Sequence, residues 1–161
     1  MNRFEGAISA HPVPFHGDGS IHWRDLERWY EYQLENGIQG LVLAGTTGES
    51  PTLHDEQDWI NTRVIRAVNR KVPVIVGAGD YDTAVAVERT LKAHELGADA
   101  TLHPMGWYNK PPQRGIMDYF NQVAEAAPIG VIFYNIPIRG ASEYKPKTMI
   151  ELAKRQHNII G

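Results

Sequence analysis

The chain has 161 residues, a formal net charge of −3 and no cysteine, and hydrophobic residues make up 42% of it. This composition suits one buried core, and it excludes a disulfide framework, a cysteine metal site and a strongly basic nucleic-acid surface. No apolar run is long enough to cross a membrane, and the N-terminus lacks the apolar core of a signal peptide. We therefore expect a cytoplasmic protein without membrane or nucleic-acid partners. The seven histidines show no paired spacing, so the sequence predicts no metal site.

In the first half of the chain, short apolar runs alternate with segments of helical periodicity. The predicted strands cover residues 6–14, 38–44 and 72–76, and the predicted helices cover 21–35 and a segment that begins near residue 55. Asn36-Gly37 is typical of a left-handed helix end. Thr52 with Asp55 resembles a capping box, and Trp59 is expected on the inner side of the second helix.

The second half repeats the alternation. Strands are predicted at 98–102 and 129–134, helices at 83–96, from 112 onward and at 146–155, and the start of a sixth strand at 158–161. Asp80 and Asp82 are candidate caps for the third helix. The segments 103–112 and 135–142 are expected to be loops.

The order of these elements predicts an α/β fold of five βα units, each of about thirty residues, plus one further strand. The strands are continuous apolar runs, which is typical of a parallel sheet covered by helices. No linker divides the chain, so we expect residues 1–161 to form part of one domain. The glycine-rich fingerprint of dinucleotide binding is absent after the first strand, and no cofactor is predicted. A closed (β/α)8 barrel needs about 250 residues, so the chain covers a little over half of one.

The segment Gly45–Ser50 follows the second strand and contains two hydroxyl residues between two glycines. Glycine allows a sharp turn and a close approach of a ligand to the main chain. The N–H groups and hydroxyls of Thr46 and Thr47 could then converge on a small anion such as a carboxylate. An ordinary strand-to-helix turn is the alternative interpretation.

Other candidates follow the fourth and fifth strands, because active sites in such barrels lie at the carboxyl ends of the strands. Tyr134 and Tyr108 could relay protons, and Arg139 could hold a carboxylate through two parallel hydrogen bonds. From the sequence alone, Tyr134 could equally cap the core and Arg139 could be a surface cation. Trp107 and Tyr108 could form an exposed loop or a contact between subunits.

Three separated motifs in the same order resemble those of the dihydrodipicolinate synthase / N-acetylneuraminate lyase family. They are Gly45-Thr46-Thr47-Gly48-Glu49-Ser50, Trp107-Tyr108-Asn109-Lys110-Pro111, and Tyr134-Asn135-Ile136-Pro137 with Arg139. The resemblance extends over almost the whole chain. It implies the first five βα units and strand six of a (β/α)8 TIM barrel, with class I aldolase chemistry on pyruvate or a related 2-oxo acid.

The resemblance also implies roles for individual residues. Thr46 and Thr47 would hold the 2-oxo acid carboxylate, and Tyr134 would move protons at the bound intermediate. Tyr108 would cross a tight dimer interface and complete a relay with Thr46 and Tyr134. Arg139 would bind the carboxylate of the second substrate, an aldehyde. The implied assembly is a homotetramer built as a dimer of dimers, and the dihydrodipicolinate synthase branch implies lysine biosynthesis.

The sequence also departs from the family pattern. The Schiff-base lysine of the family follows an Asn-Ile-Ile-Gly run on strand six, whereas this sequence ends at Gly161, and the lysines at 145, 147 and 154 lie around the last helix. Met105-Gly106 lengthens the loop before the aromatic pair, and Ile138 and Gly140 flank Arg139 where small or hydroxyl residues are more usual. Two alternatives therefore stay open: a sugar-acid dehydratase or 2-keto-3-deoxy acid aldolase of the same family, and a non-catalytic half-barrel binding module.

Overall fold

The computed structural model describes residues 4–104, 107–126 and 128–161. The chain forms two compact units. Unit one contains Met1–Gly77 and Leu96–Asp99, and unit two contains Ala78–Glu95 and Ala100–Gly161. The predicted lengthening of the loop at Met105-Gly106 concerns two residues outside the described ones.

Unit one contains three strands in parallel register. Its elements are β1 (Ile8–Ala10), α1 (Trp23–Glu35), β2 (Gly40–Leu43), a 3-10 turn (Ser50–Thr52), α2 (Glu56–Val68) and β3 (Val74–Gly77). Ser9 pairs with Leu41, and Val42 pairs with Ile75. The strands are shorter than the apolar runs that predict them, because the ends of those runs lie in connecting segments. Gly37 has a φ of +79° beyond the end of α1, which confirms the predicted left-handed stop.

Two predictions for α2 are wrong. Ile60 and Val64 are buried as expected, but the Trp59 side chain is 58% exposed, since it lies outside the buried face of the helix. The capping box is also absent: Asp55 is the N-cap residue without a side-chain cap. Thr52 belongs to the preceding 3-10 turn, and its hydroxyl donates to the Glu49 carbonyl at 2.9 Å. The Thr52 hydroxyl is therefore bonded within the 3-10 turn and does not cap α2, as a capping box would require.

Unit two contains the remaining strands and helices. They are α3 (Thr83–Leu96, of which the last residue belongs to unit one), β4 (Ala100–Pro104), α4 (Gln113–Ala126), β5 (Gly130–Tyr134), the single turn α5 (Pro137–Gly140) and α6 (Pro146–Arg155). Strands β4 and β5 are parallel, with Thr101 opposite Val131. The Ala84 N–H donates to the Asp82 carboxylate at 2.9 Å, which confirms Asp82 as a cap of α3. The predicted loop 135–142 contains the helical turn α5, which the sequence analysis did not predict.

The C-terminal residues continue the parallel pairing. Val131 forms a parallel bridge with Ile159, its N–H donates to the Asn158 carbonyl at 2.8 Å, and its carbonyl accepts from the Ile160 N–H at 3.0 Å. Residues 158–161 therefore start a sixth strand beside β5, as predicted.

The core of unit two is an aromatic cluster between β5 and the helices. Phe120 of α4 is fully buried, and its ring meets those of Phe133 and Tyr144 edge to face at 4.5 and 5.6 Å between centroids. Ile116, Val123 and Leu152 belong to the same buried cluster, which packs α4 and α6 against β5. Within each unit the strands are parallel, and strands alternate with helices along the chain, which is the architecture of the N-terminal half of a TIM barrel.

Candidate active site

The Gly45–Ser50 turn lies at the carboxyl end of β2, where barrel enzymes hold their substrates. The Gly45 carbonyl accepts from the N–H groups of Gly48 and Ser50 at 3.1 and 3.4 Å, and the Thr46 carbonyl accepts from the Glu49 N–H at 3.1 Å. These bonds occupy the N–H groups of Gly48, Glu49 and Ser50. The turn is thereby closed on itself, with Thr46 and Thr47 at its tip.

The left-handed positions of this turn are not its glycines. Ala44 and Glu49, which flank the Gly45–Gly48 segment, have φ values of 52° and 54°. Gly48 serves close packing instead, since a Cβ there would lie 2.9 Å from the His11 carbonyl oxygen. Gly77 at the end of β3 is more constrained, because its Cβ would lie 2.0 Å from the Ala44 carbonyl oxygen. The turn therefore holds two strained residues in place by tight packing.

Thr46 and Thr47 are exposed. Within the described part of unit one, neither their N–H groups nor their hydroxyls form a hydrogen bond. Unpaired donors grouped on a fixed turn suit a small anion. The Glu49 carboxylate caps no N–H of the turn that follows it.

Tyr108 follows β4 in a strained conformation. Its φ is 70°, and the Asn109 N–H donates to the Trp107 carbonyl at 2.9 Å across it. A bond between residues two apart, with positive φ at the central residue, defines the rare and strained form of the three-residue turn. The Tyr81 ring lies 5.9 Å from Trp107 and 6.3 Å from Tyr108, and the Asn109 side chain donates to the Tyr81 carbonyl at 3.0 Å. These contacts project the Tyr108 side chain outward, where it is 94% exposed.

Tyr134 and Arg139 lie on one short segment after β5. Tyr134 is the last residue of the strand and is half-buried, whereas Arg139 is exposed on the helical turn α5. Among the described residues, no hydrogen bond or ring contact joins Tyr108 to Tyr134 or Arg139. The structure therefore brings Tyr134 and Arg139 onto one loop, and it presents Tyr108 separately.

The loop that carries Arg139 is held by residues that the sequence analysis did not single out. Tyr144 is 1% exposed, and its N–H donates to the Asn135 side chain at 3.1 Å. Gln113 of α4 bonds to the same loop through both ends of its amide. The available sequence signal was weak, because Tyr144 lies in a polar stretch without periodicity.

A buried histidine lies at the carboxyl end of β4. His103 is fully buried, and burial lowers its pKa from 6.5 to about 3. Its Nδ1 lies 3.3 Å from the Tyr119 hydroxyl, which also accepts from the Asp80 N–H at 3.4 Å. Burial raises the pKa of Tyr119 well above its usual value. Both side chains are therefore neutral near pH 7, and they form part of the core of unit two.

A surface groove of about 650 Å³ lies in unit one, between α1 and α2. Arg63 crosses it, paired with Glu27 and lying over the Trp23 ring at 5.3 Å. Its walls belong to the outer helices, so it does not hold the predicted site residues. No cluster of three metal-ligating side chains occurs in the part of the chain that the structure describes. None of the helices described is both long enough and apolar enough to cross a membrane.

The alternating strands and helices and the turn at the end of β2 define half of a TIM barrel. Enzymes of this fold class have their active sites at the carboxyl ends of the strands. The profile of the dihydrodipicolinate synthetase family matches residues 3–161, and the chain belongs to that family. This confirms the predicted resemblance.

Individual relatives agree with the family assignment. The 4-hydroxy-tetrahydrodipicolinate synthase of Coxiella burnetii is 44% identical over 159 residues, which are 98% of this chain and 55% of the relative. The chloride-inhibited dihydrodipicolinate synthase of Acinetobacter baumannii, solved with pyruvate, superimposes with a TM-score of 0.96 at 37% identity, over 99% of this chain and 55% of that one. A monomeric dihydrodipicolinate synthase variant gives a TM-score of 0.91 at 35% identity, over 96% and 52%. The chain thus spans about half the length of its relatives.

Proposed function

We propose that the protein carrying this chain is a Schiff-base lyase that condenses pyruvate, or a related 2-oxo acid, with an aldehyde, as a dihydrodipicolinate synthase does. The observation that carries the proposal is the pair Thr46 and Thr47, exposed on a strained turn at the end of β2 with unpaired donors, in a chain of this family. The structure of an Acinetobacter baumannii relative with pyruvate supports the choice of a 2-oxo acid.

The proposed roles follow the chemistry of each side chain. Thr46 and Thr47 donate hydrogen bonds to the carboxylate of the 2-oxo acid. Tyr134 moves the proton at the carbon that reacts, and Tyr108 of a partner subunit links it to Thr46 in a relay. The exposed Arg139 guanidinium binds a carboxylate on the aldehyde.

The covalent step needs a primary amine. The amine attacks the 2-oxo carbon, water leaves, and the resulting imine withdraws electrons so that the adjacent methyl group can lose a proton and attack the aldehyde carbon. We propose that a lysine following the Asn158–Gly161 segment in the protein that carries this chain supplies the amine. The lysines at 145, 147 and 154 lie at the N-cap of α6 or within that helix.

Borohydride trapping tests this proposal. Borohydride reduces an imine to a stable secondary amine, so pyruvate should add one adduct to the product of the full reading frame and none to the 161-residue chain. Intact-mass and peptide mass spectrometry would locate the adduct. A specific adduct on Lys145, Lys147 or Lys154 would show that the nucleophile is wrongly assigned. A full-length product without any adduct would refute the lyase proposal and favour the binding-module alternative.

Arg139 offers a second test of the proposed roles. In the active protein, Arg139→Ala should raise the KM of the aldehyde and leave that of pyruvate almost unchanged, because Thr46 and Thr47 serve the pyruvate carboxylate. The loss of a charged hydrogen-bonding partner costs about 2–5 kcal/mol. Steady-state kinetics with each substrate varied in turn would measure both constants, and Arg114→Ala, at an exposed position of α4, is a control. A rise confined to the KM of pyruvate would contradict the assignment.

The assembly is also part of the proposal. A homotetramer built as a dimer of dimers would give Tyr108 its partner subunit, and the protein would act in the cytoplasm. The monomeric variant among the relatives shows that this type of fold also occurs without that assembly. That residues 1–161 belong to one barrel domain likewise remains a prediction.

A further inference from the structure

The Gln113 side chain of α4 forms hydrogen bonds with the loop between β5 and α6. Gln113 donates from Nε2 to the Glu143 carbonyl at 2.7 Å, and its Oε1 accepts from the Lys145 N–H at 3.1 Å and from the Thr148 hydroxyl at 2.7 Å. All three bonds join one amide to the end of the loop and the first turn of α6. The α6 N-cap residue, Lys145, makes no side-chain cap of its own, so Gln113 supplies an acceptor that the helix end lacks.

A second tie closes the loop on itself. The Asn135 Oδ1 accepts from the Tyr144 N–H at 3.1 Å, nine residues along the chain. The buried Tyr144 hydroxyl donates to the His103 carbonyl at 3.2 Å, at the carboxyl end of β4. The Tyr144 ring packs at 5.6 Å from Phe120 in the core of unit two. Tyr144 thus anchors one end of the loop in the core. The Asn135 side chain links that anchor to the other end of the loop, next to Tyr134.

Between these ties lies α5, a single helical turn. The Ile136 carbonyl accepts from the N–H groups of Arg139 and Gly140 at 3.0 and 2.9 Å, and Ala141 has a φ of 52°. Among the described residues, the Arg139 side chain makes no ion pair and is exposed. The direction of the guanidinium therefore depends on the backbone of the turn, and that backbone depends on the ties at both ends.

We propose that Asn135, Tyr144 and Gln113 form a loop clamp that positions Arg139 for the second substrate. This inference rests on the proposed function, and it assigns the three residues as positioning residues rather than catalytic ones. Asn135 matters most, because it is adjacent to Tyr134 and its oxygen closes the loop. A clamp of this kind keeps Arg139 ready for a carboxylate before the aldehyde arrives, which lowers the entropy lost on binding.

Paired variants of Asn135 in the protein from the full reading frame test the clamp. Asn135→Ala removes the acceptor for the Tyr144 N–H, whereas Asn135→Asp keeps an oxygen at the same place. We expect Asn135→Ala to raise the KM of the aldehyde roughly 10- to 100-fold with little change in the KM of pyruvate. Asn135→Asp should restore most of the affinity. A merely structural role would change both Michaelis constants or neither.

Amide hydrogen exchange gives a readout that is independent of activity. In Asn135→Ala, exchange at Tyr144 and in the 139–141 segment should become at least tenfold faster, while exchange in β4 stays unchanged. Tyr144→Phe removes the hydroxyl that donates to the His103 carbonyl and keeps the aromatic ring, so it tests the anchor if Asn135→Ala fails to fold. It should show the same pattern, to a smaller extent. Gln122→Ala is the control, because its side chain donates to the Asp118 carbonyl on the surface of α4 and, among the described residues, forms no bond with the loop.

The outcomes separate this inference from the proposed function. If the wild-type protein forms no imine with pyruvate, the proposed function fails, but the exchange experiment still supports or refutes the clamp as a structural tie. If the wild-type protein is active and Asn135→Ala leaves both the KM of the aldehyde and the exchange at Tyr144 unchanged, the clamp is refuted. Equal rises in the KM of both substrates would refute its selectivity for Arg139.

Discussion

His103 shows how one buried residue couples stability to pH. Burial lowers the pKa of His103 in the folded protein to about 3, whereas its ordinary value is 6.5. Between these two pH values the unfolded chain binds a proton at His103 and the folded protein does not. Its stabilising effect is therefore fully present above pH 6.5 and is lost as the pH falls from there toward 3. We expect the free energy of unfolding to fall on this account by up to about 1.4 kcal/mol per pH unit below 6.5.

Denaturant unfolding at several pH values between 5 and 7 measures this effect. His103→Leu should reduce the slope of the free energy of unfolding against pH, even if it lowers the stability at every pH. Phe120→Leu is the matched control: it perturbs the same core without a titrating group and should shift the free energy by a similar amount at each pH. An unchanged slope in His103→Leu would contradict the assignment. His11, whose pKa burial also lowers, should leave a residual slope.

At the scale of one element, α5 ends at a strained residue. Ala141 is its C-cap and has a φ of 52°, a conformation that costs a non-glycine residue about 1–2 kcal/mol. Ala141→Gly should relieve that strain but adds freedom to the unfolded chain. We therefore expect the free energy of unfolding to rise by about 0.5–1 kcal/mol, as measured by denaturant unfolding.

An alanine of α6 supplies the matched control for this change. Ala153 is exposed within the regular helix Pro146–Arg155, where glycine is unfavourable by about 1 kcal/mol. Ala153→Gly should therefore lower the stability while Ala141→Gly raises it. Destabilisation by both variants would show that the left-handed conformation of Ala141 carries no appreciable strain in solution.

At the scale of the whole molecule, the exposed Tyr108 predicts a contact between subunits. A large aromatic side chain that is 94% exposed and held in a strained turn is energetically unfavourable unless a partner covers it. If its hydroxyl serves the proposed relay, Tyr108→Phe should lower kcat about 100-fold or more and leave the assembly intact. Tyr108→Ala should also weaken self-association, which sedimentation velocity over a range of concentrations would detect.

The two variants separate assembly from chemistry. Full kcat in Tyr108→Phe would refute the relay while leaving the interface possible. Unchanged sedimentation of Tyr108→Ala would refute the interface. Tyr32→Ala, at an exposed aromatic residue of α1 in unit one, is the control for loss of an exposed ring.

The sequence determined the features that depend on local physics. Helix α3 runs over Thr83–Leu96 as predicted, because its periodicity, the Asp82 cap and the left-handed Gly97 act within a few residues of chain. The alternation of continuous apolar runs with helices was sufficient to predict parallel strands and a partial barrel. Three short motifs were sufficient to predict the family. The roles assigned to the site residues remain predictions.

Only the tertiary structure decided features that depend on contacts distant in sequence. The left-handed conformations at Ala44 and Glu49 were not predictable from residue types that disfavour them. The exposure of Trp59 depends on which face of α2 packs against the rest of unit one. The periodicity of the helix did not predict on which side of that face Trp59 lies. The tie between Gln113 and Lys145 joins residues 32 apart. Side-chain hydrogen bonds of this kind leave no periodic signal, because they depend on which helix ends and loops meet after the chain has folded.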